Sequence, residues 1–227
     1  VLVERGSFRP VCNVNMDMLR SAHETFVRDP EVQQSEVVEL MEITMNSLMT
    51  SGQIDHRDFL ARADVMTACG KTVLISNYFQ YYRLAAYLAR YTKGKIAITL
   101  GIASLIDLFD EKYYAELEGG ILESFGRLFK NDLKLLVYPL QDQTSGALTS
   151  VQNLEVAPGL RHLYSQLVGR GSIIQLDNYD PACLPVFSRV VLEKIKAGDL
   201  SWESMVPPPV AEIIKKRCFF GYCREPE

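Results

Sequence analysis

Apolar and polar positions change period several times along the chain, and the changes mark its elements. Val1-Leu2-Val3 is a short apolar run that breaks at Gly6-Ser7, turns through Pro10 and feeds a helix from about residue 16. Over 37–49 the residues Val37, Leu40, Met41, Thr44, Met45 and Leu48 recur at helical spacing. Ser35 with Glu39 gives that segment a start signal, and Ser51-Gly52 gives it a stop. A third helix is predicted over 56–68, capped by Asp55 and closed by Gly70.

Downstream the period alternates between strand and helix. Residues 72–75, 95–100, 134–138 and 172–176 read as strands, rich in Val, Ile and Leu as buried parallel strands are. Helices are predicted over 81–91, 104–109, 120–129, 158–167, 187–197 and 210–217. Residues 141–146 are polar turn-formers, and Val206 to Pro209 forms a stiff joint. The pattern predicts an α/β fold with a Rossmann-like, mainly parallel sheet and additional helices at both ends. It assigns an α/β domain to 1–180, with a helical insertion over about 16–69, and a helical appendage to 181–227.

Bulk properties narrow the partners. The chain has 227 residues, 48% hydrophobic and 23% charged, which is enough to bury a core. A formal charge of -4 argues against a nucleic-acid partner, which needs a basic stripe. The only tight basic run, Lys215 to Arg217, suits a helix end. Five cysteines without C-x-x-C spacing read as reduced thiols of a cytoplasmic protein. The most apolar stretch, 96–106, is too short to span a bilayer, so no membrane partner is expected. The chain opens on Val1, which fits the C-terminal part of a longer protein or an upstream domain; a homo-oligomer is the other expected association.

Two strand ends carry candidate chemistry. Gly6, Ser7 and Phe8, followed by a helix, form a turn able to offer backbone N–H groups to a phosphate, and Asn15 is placed to hydrogen-bond it. The alternative is a strand-to-helix turn without a ligand. Ser76 and Asn77 end a predicted parallel strand, where open α/β sheets hold ligands, with Arg83 one turn into the next helix. The alternative there is a helix cap. Glu116, Glu118 and Glu123, beside Gly119-Gly120, have the oxygen donors that suit Mg²⁺; the competing reading is a Glu123–Arg127 surface pair. His23, His56 and His162 lack metal-ligand spacing, so no metal site is assigned. Cys12 needs a nearby histidine to act as a nucleophile. The tyrosines between 78 and 91 are read as packing and interface residues.

Gly6-Ser7-Phe8-Arg9-Pro10 resembles the nucleotide-binding signature of nicotinate/nicotinamide mononucleotide adenylyltransferases. A second signature of that family has an echo in Ile75-Ser76-Asn77-Tyr78 with Arg83. With Val14 to Leu19, Lys71 to Tyr78, Gly119 to Phe129, Leu160 to Tyr164 and Trp202 to Pro207, most of the chain is similar to bacterial proteins labelled nicotinate-nucleotide adenylyltransferase-like. The resemblance implies a nucleotide ligand, with ATP and Mg²⁺ as candidate cofactors, and adenylyl transfer to a pyridine mononucleotide. Where that family carries histidines on the following helix, this chain has Cys12 and Asn15.

Overall fold

The computed structural model describes residues 1–33, 35–45, 49–50 and 53–222. Its principal strands are β1 (Leu2–Arg5), β2 (Glu39–Thr44), β3 (Thr72–Ser76), β4 (Ala97–Gly101), β5 (Lys134–Tyr138) and β6 (Ile173–Gln175). They follow the hydrogen-bonded order β6-β5-β4-β1-β2-β3. The pairs β1–β4, β4–β5, β5–β6 and β2–β3 are parallel. This is the strand order of a doubly wound α/β sheet, and the fold is Rossmann-like. The helices are α1 (Asn13–Phe26), α2 (His56–Ala68), α3 (Tyr81–Leu88), α4 (Ile102–Leu108), α5 (Gly120–Leu128), α6 (Arg161–Gly169), α7 (Ser188–Ala197) and α8 (Pro208–Arg217). Among the described residues, no helix is long and apolar enough to cross a membrane.

One expected helix is a strand. The sequence predicts a helix over 37–49, but Glu39–Thr44 is β2, in register with β3 from Leu40↔Thr72 to Thr44↔Ser76. Met41, Glu42 and Ile43 are all buried, so both faces of the strand are covered and its polar positions do not alternate. A short apolar run of this kind fits either period, and long-range pairing decides. The expected insertion over 16–69 therefore contains a strand. Residues 46–48 and the Ser51-Gly52 stop lie outside the described residues.

The described residues divide into two compact units. The first holds 1–4, 18–38 and 78–179. Its strands bury Ile98, Leu100, Leu135, Val137 and Ile173, and its helices add edge-to-face ring pairs. Phe109 lies 4.9 Å from Phe125 and 5.2 Å from Tyr164, centroid to centroid, the spacing aromatic quadrupoles favour. Tyr114 and Tyr164 keep their hydroxyls satisfied on the carbonyls of Leu108 and Val151, at 2.9 and 2.7 Å. The polar loop over 141–146 is closed by a two-residue ribbon, Leu140–Gln141 against Leu148–Thr149.

The second unit holds 5–17, 39–77 and 180 onward. Asp55 caps α2 as expected, its side chain accepting from the N–H groups of Arg57 and Asp58 at 3.0 and 3.1 Å. Gly198 ends α7 in the left-handed conformation (φ 72°) that glycine adopts without penalty. Pro208 opens α8, where its missing N–H costs nothing. The fully buried Trp202 anchors the segment between these helices and meets Tyr222 at 6.0 Å.

Candidate functional site

The opening loop commits most of its chemistry to its own fold. Gly6 donates its N–H to the Glu42 carbonyl at 3.2 Å. Phe8 has a positive φ of 46°, and its ring turns back over Gly6 into the core, 1% exposed. A Cβ on Gly6 would stand 3.0 Å from the Phe8 ring, which accounts for glycine there. Phe8 is thus a core side chain. Ser7 is exposed, and its carbonyl accepts from Arg62 Nη1 at 3.2 Å. Asp58 sits between two guanidiniums, 2.5 Å from Arg62 and 2.7 Å from Arg9. Burial lowers the pKa of Arg62, and the Asp58 carboxylate opposes that shift.

Asn15 and Cys12 close the start of α1. The Asn15 side-chain oxygen accepts from the Cys12 N–H at 2.9 Å, and the Asn15 N–H donates to the Cys12 carbonyl at 3.0 Å. The side-chain bond is one half of a capping box, with Asn15 at the third helical position, so Asn15 serves the helix end. The Cys12 thiol is buried against Ser188 Oγ, 3.6 Å away, and burial pushes its pKa up to about 12. A thiol held protonated in this way is not a nucleophile at neutral pH.

Ser76 ends β3, where the sequence places it. Its hydroxyl donates to Glu42 Oε1 on β2, and the Arg5 guanidinium holds the same carboxylate at 2.6 and 3.2 Å. Gly6 and Ser76 therefore meet at one residue, Glu42. The meeting is a buried polar junction: Ser76 is 6% exposed and the Glu42 side chain is fully covered. Asn77 is the exposed residue that follows.

Arg83 belongs to the first unit, where it lines a different feature. Between α3 and α5 lies a pocket of about 380 Å³ whose polar lining comes from Arg83, Arg90, Arg127 and Lys130 together with Tyr78, Tyr82 and Tyr87. Arg83 donates from Nε to the Tyr82 hydroxyl at 3.2 Å, and Arg127 lies 5.5 Å from the Tyr82 ring centroid. Arg127 also pairs with Glu123. Among the described residues, Arg83, Arg90 and Lys130 form no ion pair with a carboxylate. A second groove of about 560 Å³ shares Ala86, Arg127 and Lys130 and continues past Ala85 and Ala89 to Lys93. At its far end Lys95 is held by Glu31 and Asp132, at 3.1 and 2.7 Å.

The acidic candidates resolve locally. Glu123 accepts from the Gly119 N–H at 2.9 Å, capping α5, and pairs with Arg127. A Cβ on Gly119 would lie 2.8 Å from Glu123 Cβ, so the glycine permits that contact. Among the described residues no cluster of three or more His, Cys, Asp or Glu side chains is arranged to hold a metal ion.

Of the residues that line this pocket, the sequence singles out Arg83 as a candidate and leaves Arg90 and Lys130 unmarked. Arg83 lies on α3 and Arg90 in the turn that follows it, and both line the pocket. Arg127 and Lys130 come from another element, and nothing local in the sequence brings them there. No family model matches the chain, and no curated protein matches it.

Proposed function

We propose that this chain is a phosphate-ester-binding α/β domain, with nucleotides among its ligands, and that the ligand sits in the pocket between α3 and α5. The observation that carries the reading is the charge balance of that pocket. Four cationic side chains line about 380 Å³ of open space, with one carboxylate, Glu123, paired to one of them. Guanidinium groups match phosphate oxygens in geometry and hold their charge at any working pH. A reducing, cytoplasmic setting is part of the reading, supported by five cysteines that lack C-x-x-C spacing.

The narrower reading, adenylyl transfer to a pyridine mononucleotide, draws on the resemblance carried chiefly by the opening loop. There Asn15 caps a helix and Cys12 is a buried thiol, neither supplying positive charge for transfer. A partner-binding domain is the second reading, favoured by the Tyr- and Arg-rich surface around Tyr91, which is 76% exposed.

Calorimetric titration with ATP and with pyrophosphate tests the proposal. Saturable binding is expected, weakened at least about tenfold in an Arg90→Ala/Lys130→Ala variant, as loss of two charge-assisted contacts implies. Absence of binding to either compound overturns the proposal and leaves the partner-binding reading.

A further inference from the structure

We infer that the ligand of this pocket is a phosphodiester chain, a single strand of nucleic acid, an inference that rests on the phosphate-binding reading above. Three observations lead there. The first is the order of side chains along α3. Arg83, Ala86 and Tyr87 share one face of α3 at i, i+3 and i+4, and Arg90, in the turn after the helix, lines the same pocket, so two guanidiniums flank a ring and a small gap.

The second observation is continuity. Ala86, Arg127 and Lys130 line both the pocket and the adjoining groove, and Lys93 extends the cationic side into the latter. Alanines at 85, 86 and 89 keep that path shallow and unobstructed. A track of this kind follows a backbone further than a mononucleotide needs.

The third is the ladder of rings beside the cations. Tyr78 and Tyr87 are 5.2 Å apart, Tyr87 and Tyr91 5.0 Å, and Tyr91 remains largely exposed. Cationic grooves interleaved with accessible rings bind unpaired bases by stacking, with little sequence preference. Paired bases cannot reach such rings, so a duplex is excluded as the preferred ligand. The net charge of -4 is an average over the chain, whereas a strand senses the local field within a Debye length.

Fluorescence anisotropy of the full chain with a labelled oligothymidylate of about 12 nucleotides tests this. Binding is expected at low salt, at least about tenfold tighter than ATP in competition. Lys130→Ala should reduce the steepness of the log–log salt dependence by about 0.7, the value for one phosphate contact on a single strand. Tyr87→Leu, and the exposed-site variant Tyr91→Ser should the first fail to fold, should weaken binding about tenfold and leave the salt slope unchanged. If ATP competes as well as unlabelled oligonucleotide, the inference falls and the phosphate-binding reading stands. If polyglutamate displaces the strand equally and the tyrosine variants bind like wild type, the surface takes an acidic polypeptide and the inference is overturned. If no phosphate compound binds, the reading beneath it fails as well.

Discussion

Arg5 and Glu42 form a two-point ion pair at 2.6 and 3.2 Å, with the Arg5 side chain 9% exposed and that of Glu42 fully buried. The Ser76 hydroxyl completes the carboxylate's partners, so β1, β2 and β3 are tied by one acidic side chain. Removing one member of such a group leaves a buried charge uncompensated. Glu42→Ala should lower unfolding free energy by about 3–5 kcal/mol in urea titrations. Ser76→Ala, which leaves the ion pair, should cost about 1.5–3 kcal/mol. Equal small losses in both variants would mean the junction is not structural.

Asn15→Ala removes the acceptor that satisfies the Cys12 N–H. A loss of about 1 kcal/mol is expected in the same measurement, with ATP affinity unchanged. Phe8→Ala should cost about 3–5 kcal/mol, the range for emptying a buried aromatic site. A Phe8 variant with full stability and lost ligand affinity would place the ligand at the opening loop instead.

Burial pushes the pKa of Cys12 from 9.0, and of Tyr114 and Tyr164 from 10.0, to about 12 in each case. In the unfolded chain these groups ionise earlier, so between about pH 9 and 12 the folded state holds more protons. Their contribution is complete below pH 9 and is lost as pH rises toward 12. Unfolding free energy should therefore fall over that interval, and Cys12→Ala should flatten the first part of the decline. Thiol titration at pH 8 should leave Cys12 unlabelled in the native protein and label it on unfolding.

Asp199 shows the opposite sign. Lys194 and the Ser201 N–H and hydroxyl hold its carboxyl down at about 2, against an ordinary 3.8. Its contribution is present above pH 3.8 and is lost as pH falls toward 2. Because the group is exposed, the effect should shrink with added salt. An Asp199→Asn variant should show a smaller acid-limb change in thermal midpoint than wild type.

The legibility of the fold followed the locality of its signals. Residues 72–75 and 134–138 read as strands, as the structure has them, because their β-branched and leucine-rich runs are bounded by turn formers. The α2 boundaries were readable because Asp55 and Gly70 act within a few residues of the helix ends. Glu39 to Thr44 misled because a central strand buried on both faces has no alternation, and Glu42 mimics the polar position of a helix. Its partner Arg5 lies 37 residues away, beyond any local pattern. At the opening loop, residue types suggested phosphate, but the packing of Phe8 and the capping role of Asn15 depend on three-dimensional neighbours. Arg83 stands out in the sequence by its place after a strand end. Arg127 and Lys130 join it only through the packing of α3 against α5.

Hydrogen–deuterium exchange with and without saturating ATP tests most directly where a phosphate ester binds. Slowed exchange is predicted over 81–93 and 127–133, with residues 6–15 unchanged. Protection confined to 6–15, or none anywhere at saturation, would contradict the assignment of the ligand to the α3–α5 pocket.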